Sequence, residues 1–185
     1  MFKKSIQIVS SLALVAMVSG CVVTAAAPNK NSVVFDEETQ QYEVNTTLSN
    51  SVEVGEVSGF AGTSKFMFSG RVSSNMSNDS FKEALEESLK NTNYLGQGYV
   101  LDIDLIESNN WSNWSFSMGT RNRNILVNMR LSDPQGNAVI DKEVEGVGDM
   151  TNYNPLAPFH VLDRVASTRS HQNLIEEIIR EISEL

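Results

Sequence analysis

The chain has 185 residues, two histidines and a single cysteine, Cys21, and its formal net charge at pH 7 is −9. This length is enough for one domain with a substantial core, and the lone cysteine excludes a disulfide within the chain. The negative charge argues against a nucleic-acid-binding protein and against general adhesion to anionic lipid headgroups.

The first twenty residues have the layout of an export signal. Lys3 and Lys4 form a short basic region, and a mostly apolar stretch over residues 6–17 follows. That stretch is shorter than the about 20 apolar residues that a membrane-spanning helix needs, so we expect a signal peptide over residues 1–20. Removing its two lysines would change the net charge from −9 to −11.

The signal region ends in a motif that resembles the lipobox of bacterial lipoproteins. In Val18-Ser19-Gly20-Cys21, an aliphatic residue and two small residues precede the cysteine, with Val where Leu is commoner. The resemblance implies cleavage before Cys21, a diacylglyceryl thioether on its sulfur and a further acyl chain, such as palmitate, on its amino group. Several acyl chains make the membrane attachment effectively permanent. The alternative is an ordinary secreted protein with a cysteine near its cleavage site.

The residue after the cysteine indicates in which membrane a lipoprotein resides. In lipoproteins of this type an Asp at that position favours the inner membrane, whereas this chain has Val22. The resemblance therefore implies the outer membrane, with the domain facing the periplasm. The inner membrane remains the alternative.

Residues 21–31 predict a tether, because alanines, a proline and polar residues follow the cysteine. Extended at about 3.3 Å per residue, it would reach roughly 30 Å. Residues 32–185 then form a single domain, and the sequence leaves open whether residues 32–50 add a strand or continue the linker. Alternating apolar residues predict strands over Ser51–Gly59 and Ser64–Val72.

A helix is predicted next. Asp79 or Ser80 is the expected cap, and Ser80 with Glu83 has the spacing of a capping box. The apolar stripe repeats at the helical period over Phe81, Ala84, Leu85, Ser88 and Leu89. We expect this helix to end near residues 91–93.

Three strands are predicted after this helix. Apolar residues alternate with Asp102 and Asp104 in the first strand, which begins at Gly98, and the alternation recurs over Arg123–Ser132. A proline and a glycine in Asp133–Asn137 predict a turn, so Ala138–Gly146 is the returning arm of a hairpin.

The carboxylates of the first of these strands have two interpretations. Asp102 and Asp104 share a strand face, and Glu107 lies just beyond on the opposite parity. Paired carboxylates can bind calcium or perform acid–base chemistry. Alternation explains them more simply as the solvated side of a half-buried sheet.

The chain ends in a long amphipathic helix, and the polar segment 167–173 indicates either a kink or a later start. Its apolar stripe comprises Val161, Leu162, Val165, Leu174, Ile175, Ile178, Ile179 and Ile182. Two amphipathic helices on one face of a four- or five-stranded, mostly antiparallel sheet would bury both stripes. The predicted fold is therefore an α+β two-layer sandwich.

This plan is similar to that of small Gram-negative outer-membrane lipoproteins, in particular the LptE-like LPS-assembly lipoproteins and the YajG-like lipoproteins. The similarity lies in the lipobox, the helix 81–89 running into Tyr99–Leu105, the hairpin turn 133–137 and the Ile-rich last helix. It rests on pattern, without a diagnostic motif. It implies a protein that acts by binding, as a plug, adaptor or chaperone, and it assigns no functional residues.

The sequence does not assemble a catalytic or metal-binding set. His160 and His171 lie eleven residues apart, a spacing that does not converge on one metal. The chain contains neither a Gly-x-Ser-x-Gly motif nor a Gly-rich phosphate loop. We therefore expect no enzymatic activity, no metal and no cofactor.

The polar connection 109–123 contains both tryptophans of the chain, and large aromatic residues in polar loops often contact partners. The arginines here would meet phosphate or carboxylate groups. The predicted partner- or ligand-contact residues are Trp111, Trp114, Phe116, Arg121 and Arg123. The alternative is that the rings cap the open end of the helix–sheet core.

These observations favour a membrane-anchored, non-enzymatic adaptor or assembly factor that binds an envelope protein and no nucleic acid. The alternative from a different class is a periplasm-facing protein that binds or carries a lipid or glycolipid between its helices and its sheet. An envelope hydrolase or transferase is the weakest hypothesis, because the sequence selects no nucleophile, base or metal.

Overall fold

The computed structural model describes residues 26–35, 45–63, 74–109, 122–150 and 157–185. A 3-10 turn at Lys30–Ser32 is followed by β1 (Val52–Ser58), α1 (Asn78–Asn91), β2 (Tyr99–Ser108), β3 (Asn122–Ser132), β4 (Ala138–Asp149) and α2 (Phe159–Ser183). The predicted signal peptide, Cys21 and the predicted strand Ser64–Val72 lie outside the described residues.

The four described strands form one sheet in the order β1-β2-β3-β4. β1 and β2 are parallel, whereas the β2–β3 and β3–β4 pairs are antiparallel. α1 packs on β1, and α2 packs on β4 and β3. Strand residues of one parity and both helix stripes form a common core, which includes Val52, Leu101, Ile103, Ile125, Val127, Met129, Leu131, Phe81, Leu85, Leu89, Leu174, Ile175, Ile178 and Ile182. The predicted α+β two-layer sandwich is confirmed.

Helix α1 begins earlier than the sequence indicated. Its N-cap is Ser77, whose hydroxyl accepts a hydrogen bond from the Ser80 N–H, so the predicted cap at Asp79 or Ser80 is wrong. Ser, Asn and Asp are all good capping residues, and four of them occur in succession at positions 77–80. A tertiary contact favours the observed start, because Asn78 Oδ1 accepts a hydrogen bond from the Phe60 N–H at 2.8 Å.

The predicted hairpin between β3 and β4 is confirmed. The Asp133 carboxylate accepts hydrogen bonds from the N–H groups of Gln135 and Asn137 at 2.9 and 2.8 Å, and Gly136 adopts a φ of 84°. The side chain and then the backbone N–H of Asn137 lower the pKa of Asp133, because they favour its charged form. β4 continues to Asp149, three residues beyond the predicted end.

Helix α2 is continuous from Phe159 to Ser183 and includes the polar segment 167–173. That segment stays helical because Ser167, Ser170 and His171 are buried and hydrogen-bonded within the helix. The expectation of a later start is therefore wrong.

The N-terminal described segment is packed on the domain. The Ala26 carbonyl accepts a hydrogen bond from the Ser74 hydroxyl at 2.6 Å, and Lys30 forms an ion pair with Glu83 at 3.1 Å. Phe35 is buried and its N–H donates to a side chain of α1. The predicted tether 21–31 is thus too long, because the chain already contacts the domain at Ala26.

Candidate functional site

A buried ion pair joins β3 to α2. Arg123 Nη1 lies 2.6 Å from Asp163 Oδ1, and both side chains are 0% exposed. Arg123 Nη2 also donates to Asn75 Oδ1, and Asp163 Oδ2 accepts a hydrogen bond from the Ser74 N–H at 2.8 Å. The pair therefore ties the segment before α1 to β3 and α2.

Burial and pairing have opposite effects on the pKa of each member of this pair. Burial raises the pKa of Asp163, while the attraction of Arg123 and the hydrogen bond from Ser74 lower it. Burial likewise lowers the pKa of Arg123, against the attraction of Asp163. Two buried charges are tolerated only when they are well paired and hydrogen-bonded, and the contacts of this pair meet that requirement.

Arg123 was predicted as a contact residue, and that prediction is wrong for the folded domain because its guanidinium is enclosed in the core. One signal was available, since Arg123 has the strand parity of the buried residues Ile125 and Val127. The other predicted residues, Trp111, Trp114, Phe116 and Arg121, lie outside the described residues, and their contact role stays a prediction. The same holds for lipidation of Cys21.

His171 lies beside the ion pair and is 1% exposed. Its Nδ1 is 2.7 Å from the Ser167 carbonyl oxygen, which can only accept a hydrogen bond. Nδ1 therefore carries the proton, and Nε2 is left as an acceptor. The ring centroid lies 6.2 Å from that of Phe60 and 6.1 Å from that of Phe81.

Burial lowers the pKa of His171 to about 4, and the nearby positive charge of Arg123 adds to the effect, while the Ser167 carbonyl opposes it. The unfolded chain takes up this proton near the ordinary value of 6.5. A folded pKa below the unfolded one means that stability is present above pH 6.5 and is lost as the pH falls towards 4.

We expect the free energy of unfolding to fall by about 2.5 kcal/mol between pH 7.5 and 4.5 on account of His171 alone. Denaturant titrations at both pH values measure the loss, and His171→Gln removes the titrating ring next to Arg123 and Asp163. The loss of unfolding free energy between these pH values should be about 2.5 kcal/mol smaller in His171→Gln than in the wild type. An equal loss in both proteins would contradict the assignment.

A cavity of about 220 Å³ lies at the same end of the core, where β1 and β2 finish. It is lined by Gly59, Phe60, Ala61, Asn75, Leu105, Ser108, Ile125 and His171. Three of these side chains are large and apolar, and three carry polar atoms. The cavity lining is thus part apolar and part polar.

The sheet face opposite the helices carries most of the exposed strand charge. Register places side chains in three rows across β2, β3 and β4: Asp102–Arg130–Asp141, Asp104–Asn128–Glu143 and Glu107–Leu126–Glu145. We call this surface the open face. On it, a lane of neutral and basic residues from β3 is flanked by two acidic lanes, one from β2 and one from β4.

Glu107 reaches the open face through a β-bulge. The register of β2 shifts between Leu105 and Glu107, so Glu107 pairs with Leu126 on the same face as Asp102 and Asp104. An extra residue in a strand reverses the parity beyond it. The expectation that Glu107 lies on the opposite side was therefore wrong.

Asp102 and Asp104 are engaged by the neighbouring strand. Asp102 Oδ1 accepts a hydrogen bond from the Glu56 N–H at 2.8 Å, and Asp104 Oδ1 accepts one from the Ser58 hydroxyl. Within the described residues, no group of three or more His, Cys, Asp or Glu side chains is arranged to hold a metal ion. Both aspartates thus support the irregular pairing of β1 with β2.

A hollow of about 140 Å³ lies at one end of the open face. It is lined by Glu107, Asn109, Asn124, Leu126 and Glu145. Asn124 Nδ2 donates to Glu145 at 2.7 Å, while its Oδ1 is buried and has no hydrogen-bond partner among the described residues. The hollow thus combines the apolar side chain of Leu126 with the carboxylates of Glu107 and Glu145.

No protein-family model matches the chain, and no curated protein is significantly similar to it. Among solved structures, it is similar to the crystal structure of a "putative lipoprotein" from Caulobacter crescentus, with 16% sequence identity and a TM-score of 0.43 over 75% of this chain and 92% of that one. The similarity to the LptE-like and YajG-like lipoproteins stays a prediction. None of the described helices is both long and apolar enough to cross a membrane.

Proposed function

We propose that this chain is a membrane-anchored, non-enzymatic binding protein of the bacterial envelope that holds a basic partner protein on the open face of its sheet. The observation that carries the proposal is the arrangement of two acidic lanes around a neutral lane, with the hollow at one end. This assigns the partner-binding role to the sheet, in addition to the predicted contact residues of the connection 110–121.

The charge of the open face favours a partner rich in Lys or Arg. Its strand residues carry one basic side chain, Arg130, against the acidic side chains of Glu53, Asp102, Asp104, Glu107, Asp141, Glu143, Glu145 and Asp149. Adjacent strands are about 4.8 Å apart, so the two acidic lanes are separated by roughly 10 Å. A basic segment lying along β3 would therefore have carboxylates within reach on both sides, which favours fast and selective association.

The hollow has the chemistry of a pocket for one basic side chain. The aliphatic stem of an arginine or lysine would lie on Leu126, with its charged head between Glu107 and Glu145. Arginine fits this set better than lysine because its planar fork can donate to several acceptors at once.

Crosslinking in intact cells tests the docking surface. A photo-reactive amino acid at Asn128, in the neutral lane, should capture a discrete envelope protein through a Lys- or Arg-rich segment. The same amino acid at Gln172, on the exposed side of α2, is the positional control and should not capture it. Capture at Gln172 alone would place the partner on the helix layer and contradict the proposal.

Once a partner is purified, charge neutralisation measures the contribution of the hollow. Glu107→Gln with Glu145→Gln should weaken its binding at least ten-fold at low salt, and the difference should shrink as salt screens the charges. Glu87→Gln with Glu184→Gln makes the same change in charge on exposed positions of the helix layer. Equal weakening by both pairs would show that net charge, and not this surface, determines affinity.

The anchor would hold this domain close to the membrane. Ala26, which is hydrogen-bonded to Ser74, lies five positions after Cys21, so an acylated Cys21 lies within about 18 Å of the domain even when the segment is fully extended. Asn109 and Asn122, the described ends of the connection 110–121, are at the same end of the sheet as Arg123, whose partner Asp163 contacts Ser74. That connection therefore begins and ends on the anchored side of the domain.

Mass spectrometry of the processed chain and membrane fractionation test the anchor. The processed chain should begin at Cys21 and carry the mass of a diacylglyceryl group and an acyl chain, and it should separate with the outer membrane. In Cys21→Ala the acyl mass and the cleavage before residue 21 should both be lost. A processed chain of unmodified mass in the soluble periplasmic fraction would instead indicate an ordinary secreted protein.

A further inference from the structure

The cavity beside His171 lies on the helix-covered side of the sheet, away from the open face. Its volume of about 220 Å³ exceeds the roughly 150 Å³ of an engineered cavity that binds benzene. It is smaller than the pockets of roughly 300–1,000 Å³ that enclose drug-sized ligands. The described cavity thus has room for a small organic molecule and not for a whole lipid or glycolipid.

The lining of the cavity selects for a particular chemistry. Phe60, Leu105 and Ile125 provide apolar contact. The ring of His171 is fixed by the hydrogen bond from Nδ1 to the Ser167 carbonyl, and none of the described residues hydrogen-bonds to its Nε2. Among the described residues Nε2 is therefore an available acceptor, and a ligand donor in the cavity would gain a hydrogen bond by meeting it.

The charges near the cavity favour an uncharged ligand. A cation would approach Arg123, which already disfavours a proton on His171. An anion would face the lone pair of Nε2 and would be desolvated against the apolar wall. A neutral molecule with an O–H or N–H group meets neither obstacle.

We propose that this cavity is a binding site for a small neutral ligand that combines a hydroxyl or N–H donor with an apolar ring or short chain, the donor meeting Nε2 of His171. The buried polar side chain and the apolar wall together define the ligand class. This site is independent of the open face, so either proposal can fail without the other.

Phenol and toluene distinguish this site from a purely apolar cavity, because they have similar size and only phenol has a donor. The full chain, labelled with ¹⁵N in its two histidines and reconstituted in lipid nanodiscs, is titrated with each compound. Phenol should shift the Nε2 resonance of His171 saturably and leave that of His160 unchanged. Toluene should bind about ten-fold more weakly, since it forms no hydrogen bond.

Three variants complete the test, each checked for an unchanged thermal transition. His171→Phe keeps a ring but removes the acceptor, and it should reduce phenol affinity about ten-fold, as followed by phenol resonances, while toluene affinity stays the same. Leu105→Trp should fill the cavity and abolish binding of both compounds. Ile106→Trp places the same ring on a neighbouring side chain that is 49% exposed, and it should bind phenol like the wild type.

Two results would overturn the proposal. Equal affinities of phenol and toluene, unaffected by His171→Phe, would mean that the cavity is apolar and unselective. Absence of any saturable shift at His171 with phenol would mean that the cavity is not a site for this ligand class. If Leu105→Trp does not fold, competition replaces it: a large excess of toluene, which has no donor, should displace phenol and reverse the phenol-induced shift of His171.

Discussion

Asp163→Ala should lower the free energy of unfolding by about 3–5 kcal/mol, because it leaves the guanidinium of Arg123 in the core without its counter-charge. The Ser74 N–H loses its acceptor in the same variant, which adds to the cost. Small domains are stable by only about 5–15 kcal/mol, so this single change would remove a large share of the total. Denaturant-induced unfolding measures the loss.

A double variant without either charge separates the loss of pairing from the cost of leaving one charge buried alone. Arg123→Met with Asp163→Leu removes both charges and keeps apolar volume, so the double variant should be more stable than Asp163→Ala alone. Glu83→Ala is the matched control, because it breaks the exposed pair with Lys30 and should cost less than about 1 kcal/mol. If the core and surface variants lost similar amounts, the pair would not be the structural link that its geometry indicates.

The strands were predictable because one face of the sheet is buried. Period-two alternation follows directly from that burial, and it located the start of β2 and both ends of β3 to within one residue. The same rule contained the information that Arg123 faces inward, but a charged side chain at a strand end suggested a contact residue. Its partner, Asp163, lies forty residues later in a helix. Nothing local in the sequence connects the two.

The candidate surface was only partly visible in the sequence. Alternation indicated that Asp102 and Asp104 face solvent, yet the rows across the sheet depend on the register of three strands. The bulge before Glu107 changes its face, and bulges leave no reliable sequence signature. The cavity was still harder to predict, since its lining residues come from distant stretches of the chain between positions 59 and 171.

The end of β4 shows how tertiary contact overrides local preference. Glycine is unfavourable in strands, yet β4 continues through Gly148, beyond the end predicted at Gly146. A Cβ at Gly148 would lie 3.0 Å from the Ser170 backbone nitrogen and closer still to the Ala166 carbonyl oxygen. Both glycines therefore allow the backbone of α2 to lie directly on β4.

Gly148→Val should destabilise the domain by about 3 kcal/mol or more, because the new side chain meets helix backbone that cannot rotate away. The clash can be relieved only if α2 moves off the sheet. Because α2 carries both Asp163 and His171, the buried ion pair and the cavity lining would be displaced together. Denaturant titration measures the loss, and the ¹⁵N resonances of His171 report the displacement. Glu143→Val introduces the same side chain on the open face of β4 and should change stability by less than about 0.5 kcal/mol. A similar small effect at Gly148 would mean that the helix backbone does not set the spacing between the two layers.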